Sequence, residues 1–206
     1  MDIELVVGDI TQQVVDAVVN AANSTLTGGG GVDGAIHEAA GPSLLAECRQ
    51  VRRRTHRDGL PCGQAVFTGA GDLPARWVIH TVGPNRHRGQ NDPDLLASCF
   101  TNSLLVAAHL GARSVAFPAI SAGAYGWDVR DVARVAVRTV RAEADSAAEF
   151  PALTHPVRLV RFVVLGQRAA EAFATELGMP VPDGPGLRKL RNHGCPSVTG
   201  DPDSAG

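Results

Sequence analysis

The sequence predicts an α/β domain in which helices cover both faces of a sheet. Three observations carry that prediction. Short apolar runs rich in β-branched residues recur along the chain, segments of helical periodicity lie between them, and two glycine-rich loops open directly after strands. Ile3–Val7 is the first run, stopped by Gly8-Asp9, and Ala17–Val19 ends at Asn20 and opens into the longer glycine loop. Such continuous runs mark strands buried on both faces. Val32 to Ala40 reads as a short helix ended by Gly41-Pro42, and Ser43 reads as the cap of a second helix through about Arg54. Further strands are expected at Ala65–Thr68, Trp77–Val82, Ser114–Phe117 and Leu159–Leu165, with helices at about Asp94–Leu110, Val129–Ala144 and Arg168–Leu177. In the first of these helices Leu96, Phe100, Ser103 and Ala107 form one apolar-to-small stripe. From Met179 the composition changes: Pro180, Pro182 and Pro185 interleave with Gly184 and Gly186, and the pattern continues to Gly206. Residues 1–178 therefore read as the folded body and 179–206 as a flexible Pro/Gly-rich tail.

Composition narrows the function classes. A length of 206 residues suits one domain, and 44% hydrophobic with 19% charged residues excludes a mainly disordered chain. A net charge of −2 supplies no basic field for nucleic acid. Lys189 is the one lysine, which removes a P-loop from the body of the chain. An aromatic fraction of 4% argues against a stacking platform for single strands. No run approaches the ~20 apolar residues of a membrane span. The acidic start, Met1-Asp2-Ile3-Glu4, lacks a basic leader, so the expected setting is cytoplasmic. Cys48, Cys62, Cys99 and Cys195 are scattered without metal-ligand spacing and are expected as reduced thiols. His193 and Cys195 are two lone ligands in the tail, too few for a metal site.

The chemistry concentrates in the two loops. Gly28, Gly29, Gly30 and Gly31 precede a helix, leaving consecutive N–H groups unobstructed at a helix N-terminus, a receptor for phosphate. The second loop, Pro118 to Gly126, follows the Ser114–Phe117 strand, and the pair could grip the two halves of a diphosphate at the carboxyl edge of the sheet. Gly29 to Gly34 matches the dinucleotide fingerprint formally, but eight residues separate it from Asn20 and no acidic strand end follows, so a nicotinamide enzyme is the poorer reading. Asp33 and His37 lie four apart and share a helix face. Asn20 and Asn23 offer neutral donors and acceptors suited to ribose hydroxyls. His37 alone is as well explained as a core or capping histidine. Asp33 needs more, because a phosphate ligand repels it, and positioning or deprotonating a water supplies a reason.

At this point the sequence resembles the macrodomain family, specifically the MacroD-type ADP-ribosyl hydrolases. The resemblance rests on Gly8-Asp9-Ile10-Thr11, Val15 to Asn23, Gly28 to His37, Ala39-Ala40-Gly41-Pro42, Val78 to Pro84 and Val115 to Ser121, and spans roughly residues 1–178. It implies a three-layer α/β/α sandwich around a six-stranded mixed sheet. It implies further that Asp9 accepts the adenine amino group beside the Ile10 backbone. Gly28, Gly29, Gly30, Gly31 and Val32, with Ser121, Ala122, Gly123, Ala124 and Tyr125, would hold the diphosphate. Asn23 would orient the distal ribose, and Asp33 with His37 would be the hydrolytic pair. The activity implied is removal of ADP-ribose from acidic side chains and hydrolysis of O-acetyl-ADP-ribose, with no cofactor and no metal. The expected partners are ADP-ribosylated proteins or ADP-ribose derivatives, with no membrane, and the chain is expected as a monomer.

The sequence departs from the family pattern at Ala122-Gly123-Ala124, which lacks a hydroxyl and a bulky apolar cover, and at Gly69-Ala70-Gly71-Asp72, which lacks a Tyr. Both bear on substrate range. The competing readings are a non-catalytic ADP-ribose reader, and a hydrolase of ADP-ribose-1″-phosphate or nucleic-acid-linked ADP-ribose. The basic cluster Arg49, Arg52, Arg53, Arg54, His56 and Arg57 is either a solvated helix end or a nucleic-acid edge. A bound diphosphate is expected to raise the pKa of Asp33, since like charge disfavours ionisation.

Overall fold

Five parallel strands form the centre of the sheet and an antiparallel strand lies at each edge. The structure, a computed structural model, describes residues 1–149, 156–182 and 187–190. The strands are β1 (Asp2–Val7), β2 (Ala17–Ala22), β3 (Ala65–Gly69), β4 (Trp77–Val82), β5 (Ser114–Phe117), β6 (Leu159–Val164) and β7 (Leu187–Leu190), in the order β3-β4-β2-β5-β6-β1-β7. The helices are α1 (Gly31–Ala40), α2 (Pro42–Arg54), α3 (Pro93–His109), α4 (Val129–Glu149) and α5 (Gln167–Leu177). β3 runs antiparallel to β4, and β7 antiparallel to β1. The six strands expected from the sequence are all present, and β7 adds a seventh from the stretch read as tail. Its four residues pair in register from Ile3↔Leu190 to Val6↔Leu187. Met179 and Val181 also pack against the core. His193 and Cys195 lie outside the described residues.

Alternation along the strands divides the core into two layers. Leu5, Val19, Ile79, Phe117 and Phe162 face α3, α4 and α5, whereas Val6, Val18, Val78, Ala116 and Val163 face α1 and α2. The first layer centres on Phe100, Phe117, Phe162 and Phe173, whose neighbouring rings lie 5.0 to 6.5 Å apart, the tilted spacing aromatic quadrupoles favour. The predicted stripe of α3 is buried at all four positions. Ser43 is not the cap of α2: the cap lies two residues earlier, at Gly41 with φ 76°, a conformation glycine takes without Cβ strain, and the helix begins at Pro42. Cys48, Cys62 and Cys99 are free thiols. Among the described residues, no helix is long and apolar enough to cross a membrane, and no cluster of three metal-ligating side chains occurs.

One buried ion pair braces the parallel centre. Glu4 and Arg161 are register partners on β1 and β6, and the guanidinium meets the carboxylate at 2.8 Å. Arg161 also donates to Gln13 Oε1 at 3.2 Å, and Gln13 Nε2 donates to the Asp9 carbonyl at 2.8 Å. The pair thereby ties the sheet interior to the turn that carries Asp9.

Candidate active site

The carboxyl ends of β1, β2, β5 and β6 border a groove, the edge where ligands settle on open α/β sheets. It consists of two cavities of roughly 630 and 300 Å³ that share Gly31, Val32, Ala119 and Gly123 in their walls. Asp9 and Ile10 line the larger one, with Trp127 and Leu165. Asp9 caps the short 3₁₀ turn Ile10–Gln12, its Oδ1 accepting from Thr11 N–H at 2.8 Å, which explains why the strand stops there. Asn23, Gly29, Asp33, Ser121 and Tyr125 line the smaller cavity.

The two glycine loops form the waist between the cavities. α1 starts at Gly31 with Gly30 as its cap, and no side chain bonds the first-turn N–H groups. They remain donors at the positive end of the helix dipole. Gly34 on α1 has no side chain to separate it from the loop: a Cβ there would sit 2.5 Å from the Gly29 carbonyl oxygen. Ser121 takes φ 68°, an uncommon left-handed conformation for a residue with a Cβ. A Cβ on Gly83 would overlap Ser121 Oγ, so both positions serve the close approach of the second loop. That loop is held from outside by Arg86, whose N–H donates to the Tyr125 carbonyl at 2.9 Å. The Arg86 guanidinium stacks 4.4 Å above the Trp127 ring and bonds Asp131 at 2.9 Å.

Asp33 lines the smaller cavity and is 5% exposed. Asn20 Nδ2 donates to its Oδ1 at 2.7 Å, and Asn23 Nδ2 lies 3.4 Å from Oδ2 while also donating to the Gly28 carbonyl at 2.8 Å. His37 Nε2 is 3.5 Å from Asp33 Oδ1, an ion-pair distance without hydrogen-bond geometry. Burial raises the pKa of Asp33 above the ordinary carboxylate range, outweighing the Asn20 hydrogen bond, His37 and Asn23, which pull it down. Desolvation thus acts in the direction expected of a bound diphosphate before any ligand arrives.

The structure brings most of the expected residues together. Asp9, Ile10, Gly29, Gly30, Gly31, Val32, Asn23, Asp33, Ser121, Ala122, Gly123, Ala124 and Tyr125 all line the groove. Three others stand apart. Asn20 has no exposed surface and lies behind Asp33, and Gly28 and His37 line a shallow depression on the other side of the first loop. Arg52, from the basic cluster, donates to the Ser24 and Arg57 carbonyls, and Arg57 donates to the Arg53 carbonyl, so these two residues close a helix end. Arg86 follows no local pattern that marks it in the sequence. His80 and Thr68, buried and 2.9 Å apart behind Asn20, are likewise assigned no role by any motif of the sequence. The signal for His80 was a polar residue inside the apolar run Trp77–Val82.

Comparison with known proteins gives this arrangement a family. The Macro domain model matches residues 19–136, which include Asn20, both glycine loops, Asp33 and His37. A macro domain-containing protein of Streptomyces coelicolor is 56% identical over 176 residues, covering 85% of this chain and 98% of that protein. An O-acetyl-ADP-ribose deacetylase of Klebsiella pneumoniae is 49% identical over 171 residues, covering 82% and 93%. Among solved structures, the Oceanobacillus iheyensis macrodomain with ADP superposes with a TM-score of 0.74 at 38% identity, covering 85% of this chain and 90% of that one. The Trypanosoma brucei macrodomain in complex with ADP-ribose gives 0.74 at 34%, covering 85% and 69%. With the fold, the paired glycine loops and relatives of this identity in agreement, the chain belongs to the Macro domain family.

Proposed function

We propose that this chain binds ADP-ribose and hydrolyses esters of it, namely O-acetyl-ADP-ribose and mono-ADP-ribose carried on Asp and Glu side chains. One observation carries the reading: a buried carboxylate of raised pKa, Asp33, held by an asparagine amide at 2.7 Å, ends a groove whose waist is made of backbone donors. In this reading adenosine occupies the larger cavity against Asp9 and Ile10, the diphosphate crosses the Gly28–Val32 and Ser121–Tyr125 loops, and the distal ribose meets Asn23 and Asp33. The relative named O-acetyl-ADP-ribose deacetylase and the neighbour bound to ADP-ribose support it.

Hydrolysis of either ester adds one water and releases ADP-ribose and a carboxylic acid. A carboxylate leaves without strong acid assistance, so the work left to the protein is orientation of water and ester, worth up to ~7–11 kcal/mol when the geometry is right. Asp33 takes the proton of the water, a contribution on the order of 10²–10⁴-fold for a positioned base. Its raised pKa brings it nearer the working pH, where a base is more effective. His37, 3.5 Å away on the next turn of α1, supports the carboxylate from outside the groove. The test is incubation with O-acetyl-ADP-ribose and with a Glu-linked mono-ADP-ribosylated protein, reading released ADP-ribose. Release from both is expected. Tight ADP-ribose binding with release from neither would make the chain a reader and overturn the hydrolase assignment.

A further inference from the structure

We infer that His80 is a positioning residue for Asp33, acting through the Asn20 amide, whose second hydrogen it accepts and which it thereby holds in place. Its catalytic consequence rests on the reading of Asp33 given above, but the geometry stands independently. Asn20 and His80 are register partners on β2 and β4, side by side on the face covered by α1 and α2, and both have no exposed surface. Two polar side chains in an apolar layer, fully removed from water, need partners that account for their cost.

The partners form a directed chain. Asp33 Oδ1 is an acceptor, so the atom 2.7 Å from it must be the Asn20 Nδ2 donor; turned over, the amide would set two oxygens against each other. The same Nδ2 lies 3.2 Å from His80 Nδ1, which must then accept the second amide hydrogen. The ring proton is therefore on Nε2, which donates to Thr68 Oγ1 at 2.9 Å, and Thr68 donates to the Gly69 carbonyl at 2.9 Å. Every link has an assigned donor: donation runs outward from the Asn20 amide, on one side to the Asp33 carboxylate and on the other through His80 and Thr68 to the Gly69 carbonyl at the end of β3. Without His80 as acceptor the second amide hydrogen is buried unpaired, the amide shifts to relieve it, and the 2.7 Å bond to Asp33 weakens. Burial lowers the His80 pKa to about 3, so the ring stays neutral and Nδ1 stays an acceptor across the working pH range. The other titratable groups acting on this cluster are His37 on α1, the Cys48 thiol 3.6 Å from His80 Nε2, Glu47 on α2, whose carboxylate accepts from the Gly69 N–H at 2.8 Å, and the Tyr125 phenol of the second loop.

Two substitutions separate the role from simple packing. His80→Asn places an oxygen where Nδ1 stood, keeping the acceptor for Asn20 and losing the Thr68 bond. His80→Gln places a donor where Nε2 stood, keeping the Thr68 bond and losing the acceptor. Each removes one hydrogen bond, so Tm should fall similarly in both. The discriminating measurement is the carboxyl ¹³C titration of Asp33, alongside kcat on O-acetyl-ADP-ribose and ADP-ribose affinity. His80→Gln is expected to move the Asp33 titration to higher pH, shift the acid limb of kcat the same way and lower kcat by about tenfold or more, with affinity unchanged. His80→Asn is expected to stay near wild type in titration and kcat. An unshifted Asp33 in His80→Gln, or equal shifts in the two variants, would overturn the inference. If wild type releases no ADP-ribose, the hydrolase reading falls while the titration still decides what His80 does.

Discussion

On the proposed reading Asp33 is the residue on which the chemistry turns, and its burial has consequences beyond rate. Its folded-state pKa lies above the unfolded value, so it contributes most favourably to stability below the unfolded pKa. That contribution is lost as pH rises through the folded pKa, because the ionised form must be held away from water. Asp33→Asn removes this cost. The Tm difference between variant and wild type should therefore move in the variant's favour as pH rises through the carboxylate range to neutrality, measured by thermal melts at a series of pH values. A difference that stays flat with pH would show that Asp33 titrates like an exposed carboxylate. The residue and its partner at 37 were legible in the sequence from spacing alone, since an i, i+4 pair shares a helix face. What spacing could not convey is depth. Asn20, four positions before the first residue of the Ser24–Thr27 stretch, reads as one more polar loop residue, whereas pairing with β4 extends the strand to Ala22 and pulls Asn20 inside.

At the scale of elements, the groove depends on glycines that let backbone approach backbone. Gly34→Ala would bring a Cβ within 2.5 Å of the Gly29 carbonyl, and the obstruction is main chain, so the loop itself must move. The expected result is a loss of ADP-ribose affinity by about tenfold or more by calorimetric titration, with unfolding still cooperative, in line with the ~1–3 kcal/mol typical of overpacking. Unchanged affinity would mean the loop position does not set the site. The strands and helices were legible because continuous β-branched apolar runs and segments of helical periodicity are local properties of the chain. β7 was not, because Leu187–Leu190 is a short run between proline- and glycine-rich stretches, and only an open edge on β1 makes it a strand. The start of α2 was misread for a related reason. Ser43 is a good cap by type, but Pro42 supplies a better first helical residue, and the turn before it needs a positive φ that Gly41 provides.

At the scale of the molecule, the parallel order β4-β2-β5-β6-β1 gathers residues far apart in sequence onto one sheet edge: Asp9, Asn23 and Asp33, Ser121 and Leu165. The sequence announces each loop, but only the strand order makes them one groove. Because ligand would bridge both loops and two cavities in the folded state alone, ADP-ribose at about 100 times its Kd should add ~2.7 kcal/mol of stability. For a chain of this size that is a rise in Tm of roughly 5–10 °C, readable by differential scanning calorimetry. No shift at saturating ligand would break the link between groove and ADP-ribose. On the proposed reading the site would hold an anionic ligand with Arg168 as the one arginine or lysine among its described lining residues. The main counter-charge would then be the start of α1 and the backbone of two loops, which a chain of net charge −2 can supply.

The most direct test of the account compares wild type and Asp33→Asn in steady-state hydrolysis of O-acetyl-ADP-ribose, with ADP-ribose affinity measured on both. The account predicts a fall in kcat on the order of 10²-fold or more with affinity preserved, the loss expected on removing a positioned base. Equal turnover by the two proteins would contradict it.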